Sequence, residues 1–308
     1  MSKQAITVLL CGILSGSAFL LAVYSPQAQL LPLFLPILPL AFIGLSVSFR
    51  HSLAAAAIAA FIVLVATDSG TVLFMAAMLL IPACHFIRKA LLWRGGDAET
   101  EWYPVLEILS DLTLMAAGIF MLAVLTINYP EHSDLKTLVS QSILSQLGSQ
   151  IDTKDPNMAH FMKLIMSDWV FMIFALTGWL WVMMIYGMTL LVNMFLNSQH
   201  MALRPSLALT PQGIPAWLPA VVLAGMALAF LGKGNDHFAG ETVFLILMLP
   251  YFLSGLVSLH NTSRSWRNRR FWLGMIYIGF LFFPWAMVLF IAKGVHTQMG
   301  SLLKRFGD

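Results

Sequence analysis

Two carboxylates lie four residues apart in an otherwise apolar segment. Glu107 and Asp111 fall within a helix predicted at 104–127, and residues at this spacing share one helix face. Carboxylates at membrane depth are costly and usually face a protein interior or a water-filled cavity. The pair therefore predicts a site for a cation, a proton or a substrate amine. In the alternative interpretation, it lies at the cytoplasmic end of the helix, touching water or an arginine such as Arg88 or Arg50.

A histidine in the preceding apolar segment is a second candidate for ligand binding. His85 lies one turn before Arg88 and could bind a ligand, or it could be neutral and hydrogen-bonded to the backbone. Because no other histidine lies at metal-ligand spacing from it, we predict no metal site.

Aromatic side chains are concentrated in the segment predicted as a helix at 168–196. Trp169 lies where a residue of the interfacial aromatic belt is expected. Trp179 and Trp181 lie deeper and could line a pocket for an apolar or aromatic ligand. The alternative for these two residues is ordinary helix packing.

Small residues recur every four positions in the first apolar segment. Gly12 and Gly16 are followed by Ala18 and Ala22 at the same spacing, a pattern that lets another helix approach closely. This face could pack within the chain or could be a docking face for a partner subunit.

Several classes of function find no support in the sequence. We find no nucleotide-binding, serine-hydrolase or metalloprotease signature, so we predict no catalytic residues, no cofactor and no enzymatic activity. Cys11 and Cys84 have no CxxC spacing and are expected to be buried thiols. Basic residues concentrate at helix ends, which is typical of membrane orientation rather than nucleic-acid binding.

The composition predicts that the chain lies in a lipid bilayer. Hydrophobic residues make up 59% of its 308 residues and charged residues 10%, against about 25% charged in a soluble domain. We predict an all-α fold, a polytopic transmembrane bundle of about eight to nine helices in a single domain, with an amphipathic segment at 128–167 on the membrane surface. The predicted spans are 5–24, 29–48, 52–67, 71–92, 104–127, 168–196, 215–232, 241–260 and 271–292.

The second predicted span carries three prolines, Pro32, Pro36 and Pro39. Each removes a backbone donor, so the first half of this helix should bend or break. Such a segment persists in a membrane only where neighbouring helices or water cover the freed carbonyls. We therefore expect it to be interior, or partly re-entrant.

Lysine and arginine positions predict a cytoplasmic N-terminus, and we expect the membrane to be the inner membrane of a bacterium. With the N-terminus inside, most basic residues fall in the predicted inner loops, including the four arginines at 264–270. The predicted outer loops hold Lys136, Lys154, Lys163 and Lys233. The side of the C-terminus depends on whether the helix count is eight or nine.

Several stretches resemble the YybS-like membrane proteins, a family labelled as a domain of unknown function. The resemblance lies in LPLFLPILPLAFIGLSVSFRHSLAAAAIAAFIVLV and MLLIPACHFIRKALLWR within 31–94, PAWLP at 215–219, FLSGLVSLH at 252–260 and AKGVHTQMGSLLKRFG at 292–307. That family is thought to be distantly similar to the substrate-binding S-components of energy-coupling-factor transporters and to the rod-shape protein MreD.

The resemblance implies a six-helix core and supplies no catalytic residues. S-components dock on their membrane partner through small residues of the first helix, which Gly12, Gly16, Ala18 and Ala22 match by residue type. This chain departs from an S-component in its greater length and in its 128–167 segment.

Two functional hypotheses follow. The first is a transport-type membrane subunit that binds a small molecule among its helices and docks on a partner through its first helix. The second is a membrane scaffold that does not transport and recruits envelope proteins.

Overall fold

The computed structural model describes residues 2–25, 30–95, 100–126, 156–211, 213–282 and 286–306. Within them the fold is helical apart from one two-stranded hairpin. Contacts divide the chain into two compact units, residues 1–112 with 181–213, and residues 113–180 with 214–308. The predicted single domain is thus resolved into two units, and two long helices contribute residues to both.

The first unit begins with six helices and ends in loop residues before 213. In chain order these helices are α1 (Lys3–Tyr24), α2 (Leu30–Leu33), α3 (Ile37–Ser46), α4 (Phe49–Ala66), α5 (Ser69–Met75) and α6 (Ile81–Ala90). A π-helical turn, Ala76–Leu80, joins α5 to α6, so that Ser69–Ala90 runs as one span. The antiparallel strands β1 (Trp93–Arg94) and β2 (Glu101–Trp102) then lead to α7 (Val105–Thr126).

The helix predicted at 29–48 is interrupted, as its prolines require. The chain turns between Leu33 and Ile37, and α3 has only 10 residues, a length of about 15 Å against a hydrocarbon core of about 30 Å. The Ser15 hydroxyl, on α1, donates a hydrogen bond of 2.9 Å to the carbonyl of Pro36. The expected break is therefore confirmed, and Ile37, Leu40 and Leu45 of α3 are fully buried.

The second long helix, α8 (Pro156–Ser198), has 43 residues. We expected a separate amphipathic piece at 157–167 before a membrane span. The structure corrects this boundary, because the backbone of 156–167 continues into the same helix. The first amphipathic piece, at 137–151, lies outside the described residues.

The second unit contains the remaining helices, which are α9 (Leu218–Leu231), α10 (Asn235–Leu247), α11 (Leu249–Thr262), α12 (Arg269–Phe282) and α13 (Ala286–Phe306). Phe120, Phe174 and Phe238 form an aromatic core, with ring centroids 5.5 to 6.2 Å apart. The predicted span 271–292 falls on α12 and α13, and residues 283–285 between them lie outside the described residues.

Six helical stretches among the described residues are long and apolar enough to cross a membrane. They are Lys3–Tyr24, Phe49–Ala66, Ser69–Ala90, Val105–Val124, Val170–Ser198 and Asn235–Ser265. The helices α3 and α9, at 10 and 14 residues, are shorter than the 17 to 25 residues of a typical span. The helical, membrane-embedded character of the chain is thus supported, and the count of eight or nine spans stays a prediction.

Candidate functional site

A cluster of ionisable side chains lies in the first unit, where α6 ends and α7 begins. Asp111 lies at its centre, with Oδ2 2.6 Å from Lys89 Nζ and 3.1 Å from His85 Nε2. His85 and Lys89 are four residues apart on α6 and therefore present one face to α7. The structure thus joins two candidates, His85 and Asp111, that the sequence offered separately.

Tyr103 connects Glu107 to the same cluster. Its hydroxyl donates to Glu107 Oε1 at 2.5 Å and accepts a hydrogen bond of 3.1 Å from Lys89 Nζ. The Lys89 ammonium also lies 4.8 Å from the centroid of the Tyr103 ring, a cation–π distance. Burial, together with the hydrogen bond to Glu107, raises the pKa of Tyr103 above its ordinary value of 10.0. At neutral pH the phenol therefore keeps its proton and remains a donor.

These five residues are the polar cluster, and its charged groups are only partly shielded. The side chains of Asp111, Lys89 and His85 are 16%, 24% and 28% exposed. The neighbouring Leu106, Ile108, Leu109 and Leu112 are fully buried. The cluster is therefore a partly shielded ionic network beside fully buried apolar residues.

The arrangement suits ligand binding better than metal binding. No group of three or more His, Cys, Asp or Glu that could hold a metal ion is found in the described part of the chain. Asp111 instead has an ammonium and an imidazole as neighbours, and Glu107 has a phenol. Such a set offers both cationic and anionic partners, which matches a small molecule carrying an amine, a carboxylate or both.

Two members of the cluster were not among the sequence candidates. Lys89 was counted only as a positive charge for orientation, and Tyr103 was placed in a polar loop. The available signal was their spacing, since Lys89 follows His85 by four residues and Tyr103 precedes Glu107 by four. The suggested partners of Glu107 and Asp111, Arg88 or Arg50, are replaced by Lys89, His85 and Tyr103.

Arg204 is a second residue whose role the sequence did not reveal. It is only 4% exposed, and its Nη1 donates to the carbonyl of Ala90 at 2.9 Å while Nε donates to the carbonyl of Ser206 at 2.8 Å. Its guanidinium also lies 5.6 Å from the Trp102 ring centroid. Burial lowers the pKa of Arg204 to about 10, so it is still charged at neutral pH. Arg204 thus caps α6 at the end that carries His85 and Lys89.

The two candidate pocket tryptophans lie in different units. Trp179 Nε1 donates to the carbonyl of Leu245 at 2.9 Å, and its ring stacks on Phe252 at 5.2 Å, within the second unit. Trp181 Nε1 donates to the carbonyl of Met78 at 3.0 Å, within the first. These are contacts of helix packing, the alternative stated from the sequence. Trp169 is among the residues whose side chains are not described.

The small-residue face of α1 packs against α4 of the same chain. A Cβ on Gly12 would lie 2.7 Å from Ile58 Cβ, and one on Gly16 would lie 3.1 Å from the carbonyl oxygen of Ala59. Ala22 is buried and Ala18 is partly buried. Packing within the chain accounts for Gly12 and Gly16, so a partner subunit would need a different part of α1.

Comparisons with known proteins provide no relative. No protein-family model matches the chain, and no curated protein or solved structure is significantly similar to it. The resemblance to the YybS-like proteins stays a prediction. What the fold and site define is a helical protein whose described residues include six candidate membrane-spanning helices, with a polar cluster at the adjoining ends of two of them.

Proposed function

We propose that this protein is a transport-type subunit of the bacterial inner membrane that binds a small amine-bearing molecule at the polar cluster. The observation that carries the proposal is the position of Lys89 Nζ, 2.6 Å from Asp111 Oδ2 and 3.1 Å from the Tyr103 hydroxyl. The Lys89 ammonium is already bound by a carboxylate, that of Asp111, and by a phenol, that of Tyr103. The ammonium of a ligand could replace the Lys89 ammonium at the Asp111 carboxylate, while Lys89 keeps its hydrogen bond to the phenol.

The energetic argument concerns charge in an apolar bundle. Ionisable side chains within transmembrane segments are costly, and they are typically found at substrate or ion pathways. His85, Lys89, Glu107 and Asp111 all lie within the candidate spans Ser69–Ala90 and Val105–Val124. Four such groups in one place are more than helix packing requires.

The proposal includes an exchange of partners. When a ligand amine binds Asp111, Lys89 leaves that carboxylate and keeps its hydrogen bond to Tyr103, which in turn donates to Glu107. The network therefore offers the displaced ammonium a second position without moving the backbone. With a cytoplasmic N-terminus and the predicted crossing at 29–48, this site would lie at the cytoplasmic face. The similarity to S-components supports the transport hypothesis by analogy alone.

The test begins with the full-length protein in lipid nanodiscs. Native mass spectrometry of the purified protein should detect a co-bound small molecule, and a panel of amine-bearing metabolites should include one that raises the midpoint of thermal unfolding. The variant Asp111→Asn should abolish that shift. Glu101→Gln removes an exposed carboxylate at the same end of the unit, and it should leave the shift intact.

A second variant separates binding from folding. Lys89→Met removes the internal competitor, so amine binding should become tighter even though the unliganded protein is less stable. If neither a co-bound molecule nor a thermal shift is found, or if Lys89→Met and Asp111→Asn weaken binding equally, the proposal is overturned.

A second candidate function is a scaffold that recruits envelope proteins and transports nothing. It is favoured by the fact that Lys89, Asp111, His85 and Glu107 each have a partner inside the chain, so the network needs no ligand to compensate its charges. Cross-linking in native membranes should then capture a reproducible protein neighbour. Absence of such a neighbour, together with a bound metabolite, would decide for the transport hypothesis.

A further inference from the structure

The connection between α11 and α12, together with the first turn of α12, has a concentrated positive charge. Arg264, Arg267, Arg269 and Arg270 occur within seven residues, and no Asp or Glu lies between Glu241 and Asp308. All four arginines are exposed. None of the ion pairs found among described residues includes any of them. Arg269 Nε donates to Ser263 Oγ at 3.3 Å, and all four exposed guanidinium groups keep further N–H donors for an anionic partner.

Large aromatic side chains surround these arginines. Phe271 and Trp272 are 61% and 52% exposed, and their rings meet edge to face at 5.6 Å. Together with Trp266 and three of the arginines they surround a cavity of about 560 Å³ and a second of about 400 Å³. Exposed tryptophan beside arginine is typical of the level of lipid headgroups, where an amphipathic ring is partly wet.

An apolar groove continues from this cationic end. Ile276, which lies one turn after Trp272, lines both the second cavity and a third cavity of about 500 Å³ between α11, α12 and α13. The third cavity is walled mainly by apolar and small residues, namely Gly255, Leu259, Gly279, Ala286, Leu289 and Phe290. Its polar members are Thr262 and Lys293. The cationic cavities and the apolar groove are therefore adjacent within one unit, and Ile276 lines both the second cavity and the groove.

From this geometry we propose that the second unit binds one anionic phospholipid. The headgroup phosphate lies among Arg267, Arg269 and Arg270, whose guanidinium forks match phosphate oxygens in bidentate fashion. One acyl chain lies in the groove past Ile276 to Leu259 and Phe290. The joint presence of a cationic end and an apolar groove selects a lipid over a free phosphate, which would use only the arginines, and over a neutral lipid, which would need none of them.

The test measures lipid binding to the full-length protein in detergent after removal of co-purified lipid. Native mass spectrometry should show a first phosphatidylglycerol that binds more tightly than phosphatidylcholine. The double variant Arg267→Gln/Arg270→Gln should weaken phosphatidylglycerol binding by about fivefold for each arginine. The matched control Arg50→Gln/Arg94→Gln removes two exposed charges elsewhere and should leave this binding unchanged.

Two further measurements distinguish a lipid from its phosphate alone. Ile276→Trp fills the groove and should weaken phosphatidylglycerol binding while all four arginines remain. Arg267→Lys/Arg270→Lys keeps the charge but removes the two guanidinium forks, so its affinity should lie between those of the parent and of Arg267→Gln/Arg270→Gln, and the binding that remains shows that the protein is still folded. The proposal would be overturned by equal affinity for the two lipids, or by an equal loss of phosphatidylglycerol binding in the control variant. It would also be overturned if Ile276→Trp left the phosphatidylglycerol affinity unchanged and millimolar inorganic phosphate displaced the bound lipid.

Discussion

The ammonium of Lys89 and the carboxylate of Asp111 form the shortest ion pair described in this chain, with Nζ and Oδ2 2.6 Å apart. Because both side chains are less than a quarter exposed, their interaction is expected to exceed that of a surface pair, which contributes about 0–1 kcal/mol. We predict a coupling free energy of about 1–2 kcal/mol in a double-mutant cycle of Lys89→Met and Asp111→Asn. The measurement is the free energy of unfolding in mixed micelles. A coupling near zero would show that the two groups do not interact in the folded protein.

Replacing Arg204 with lysine is expected to lower the free energy of unfolding. The change Arg204→Lys keeps the charge but removes the planar fork that reaches Ala90, Ser206 and the Trp102 ring at once. Leaving a buried carbonyl without a donor should cost about 1–3 kcal/mol of unfolding free energy. The exposed Arg94→Lys serves as the control and should be within about 0.5 kcal/mol of the parent. Equal stabilities of the two variants would contradict this account of Arg204.

The contact of α1 with α4 depends on the absence of a side chain at Gly12. Gly12→Val should overlap Ile58 and the carbonyl of Ala55, which lie 2.7 and 2.9 Å from an added Cβ, and should lower the free energy of unfolding by about 1–3 kcal/mol. Gly118→Ala is the opposite case, because an added Cβ meets nothing within 4 Å. That control should be neutral or slightly stabilising. Thermal unfolding of both variants in the same detergent tests this pair of predictions.

Trp181 makes a hydrogen bond through its indole N–H that phenylalanine cannot make. Trp181→Phe removes the donor to the Met78 carbonyl, which lies in the π-helical turn. We predict a loss of about 1–3 kcal/mol, since that carbonyl would be left without its indole partner. Trp93→Phe, at a position 58% exposed, should have little effect. Amide hydrogen exchange across residues 76–85 would locate the change, and protection there equal to that of the parent would count against the prediction.

Asp68 should make the start of α5 sensitive to acid. Its carboxylate accepts hydrogen bonds from the amide and hydroxyl of Thr71 at 3.0 and 2.7 Å, and these bonds lower the pKa of Asp68 below its usual 3.8. A lowered carboxylate pKa stabilises the fold above pH 3.8, and this contribution is lost as the pH falls through the folded-state value. Exchange of the Thr71 amide should accelerate in Asp68→Ala at neutral pH and much less in Asp68→Asn, which can still cap. Equal rates in both variants would refute the capping role.

Helix positions and breaks were the most predictable features. The predicted span 71–92 begins within two residues of α5, which starts at Ser69 after its cap Asp68, and the interruption before Ile37 follows from three closely spaced prolines. Both depend on interactions within a few residues, so local sequence is sufficient. The continuation of α8 through 156–167 was not predictable in this way, because an amphipathic segment can lie on a membrane surface or extend a spanning helix with the same local pattern.

The candidate site was only half predictable. Glu107, Asp111 and His85 stood out because charge is rare in these segments, but Lys89 and Tyr103 were indistinguishable from ordinary interfacial residues. Their assembly depends on the register between α6 and α7, which β1 and β2 help to set. This register involves residues far apart in the sequence, so a local sequence pattern does not predict it. Trp179 and Trp181 are the opposite case: they are close in the sequence, but their side chains pack in different units.

The π-helical turn at Ala76–Leu80 determines the direction in which the α6 side chains of the polar cluster point. An α-helix rotates by about 100° per residue, and a π turn accommodates one residue more than the regular helix does. The azimuth of every side chain from Ile81 to Ala90 therefore depends on that additional residue. Without it, the imidazole of His85 and the ammonium of Lys89 would swing by about a quarter-circle away from Asp111, and the same amino acids would present an apolar face to α7.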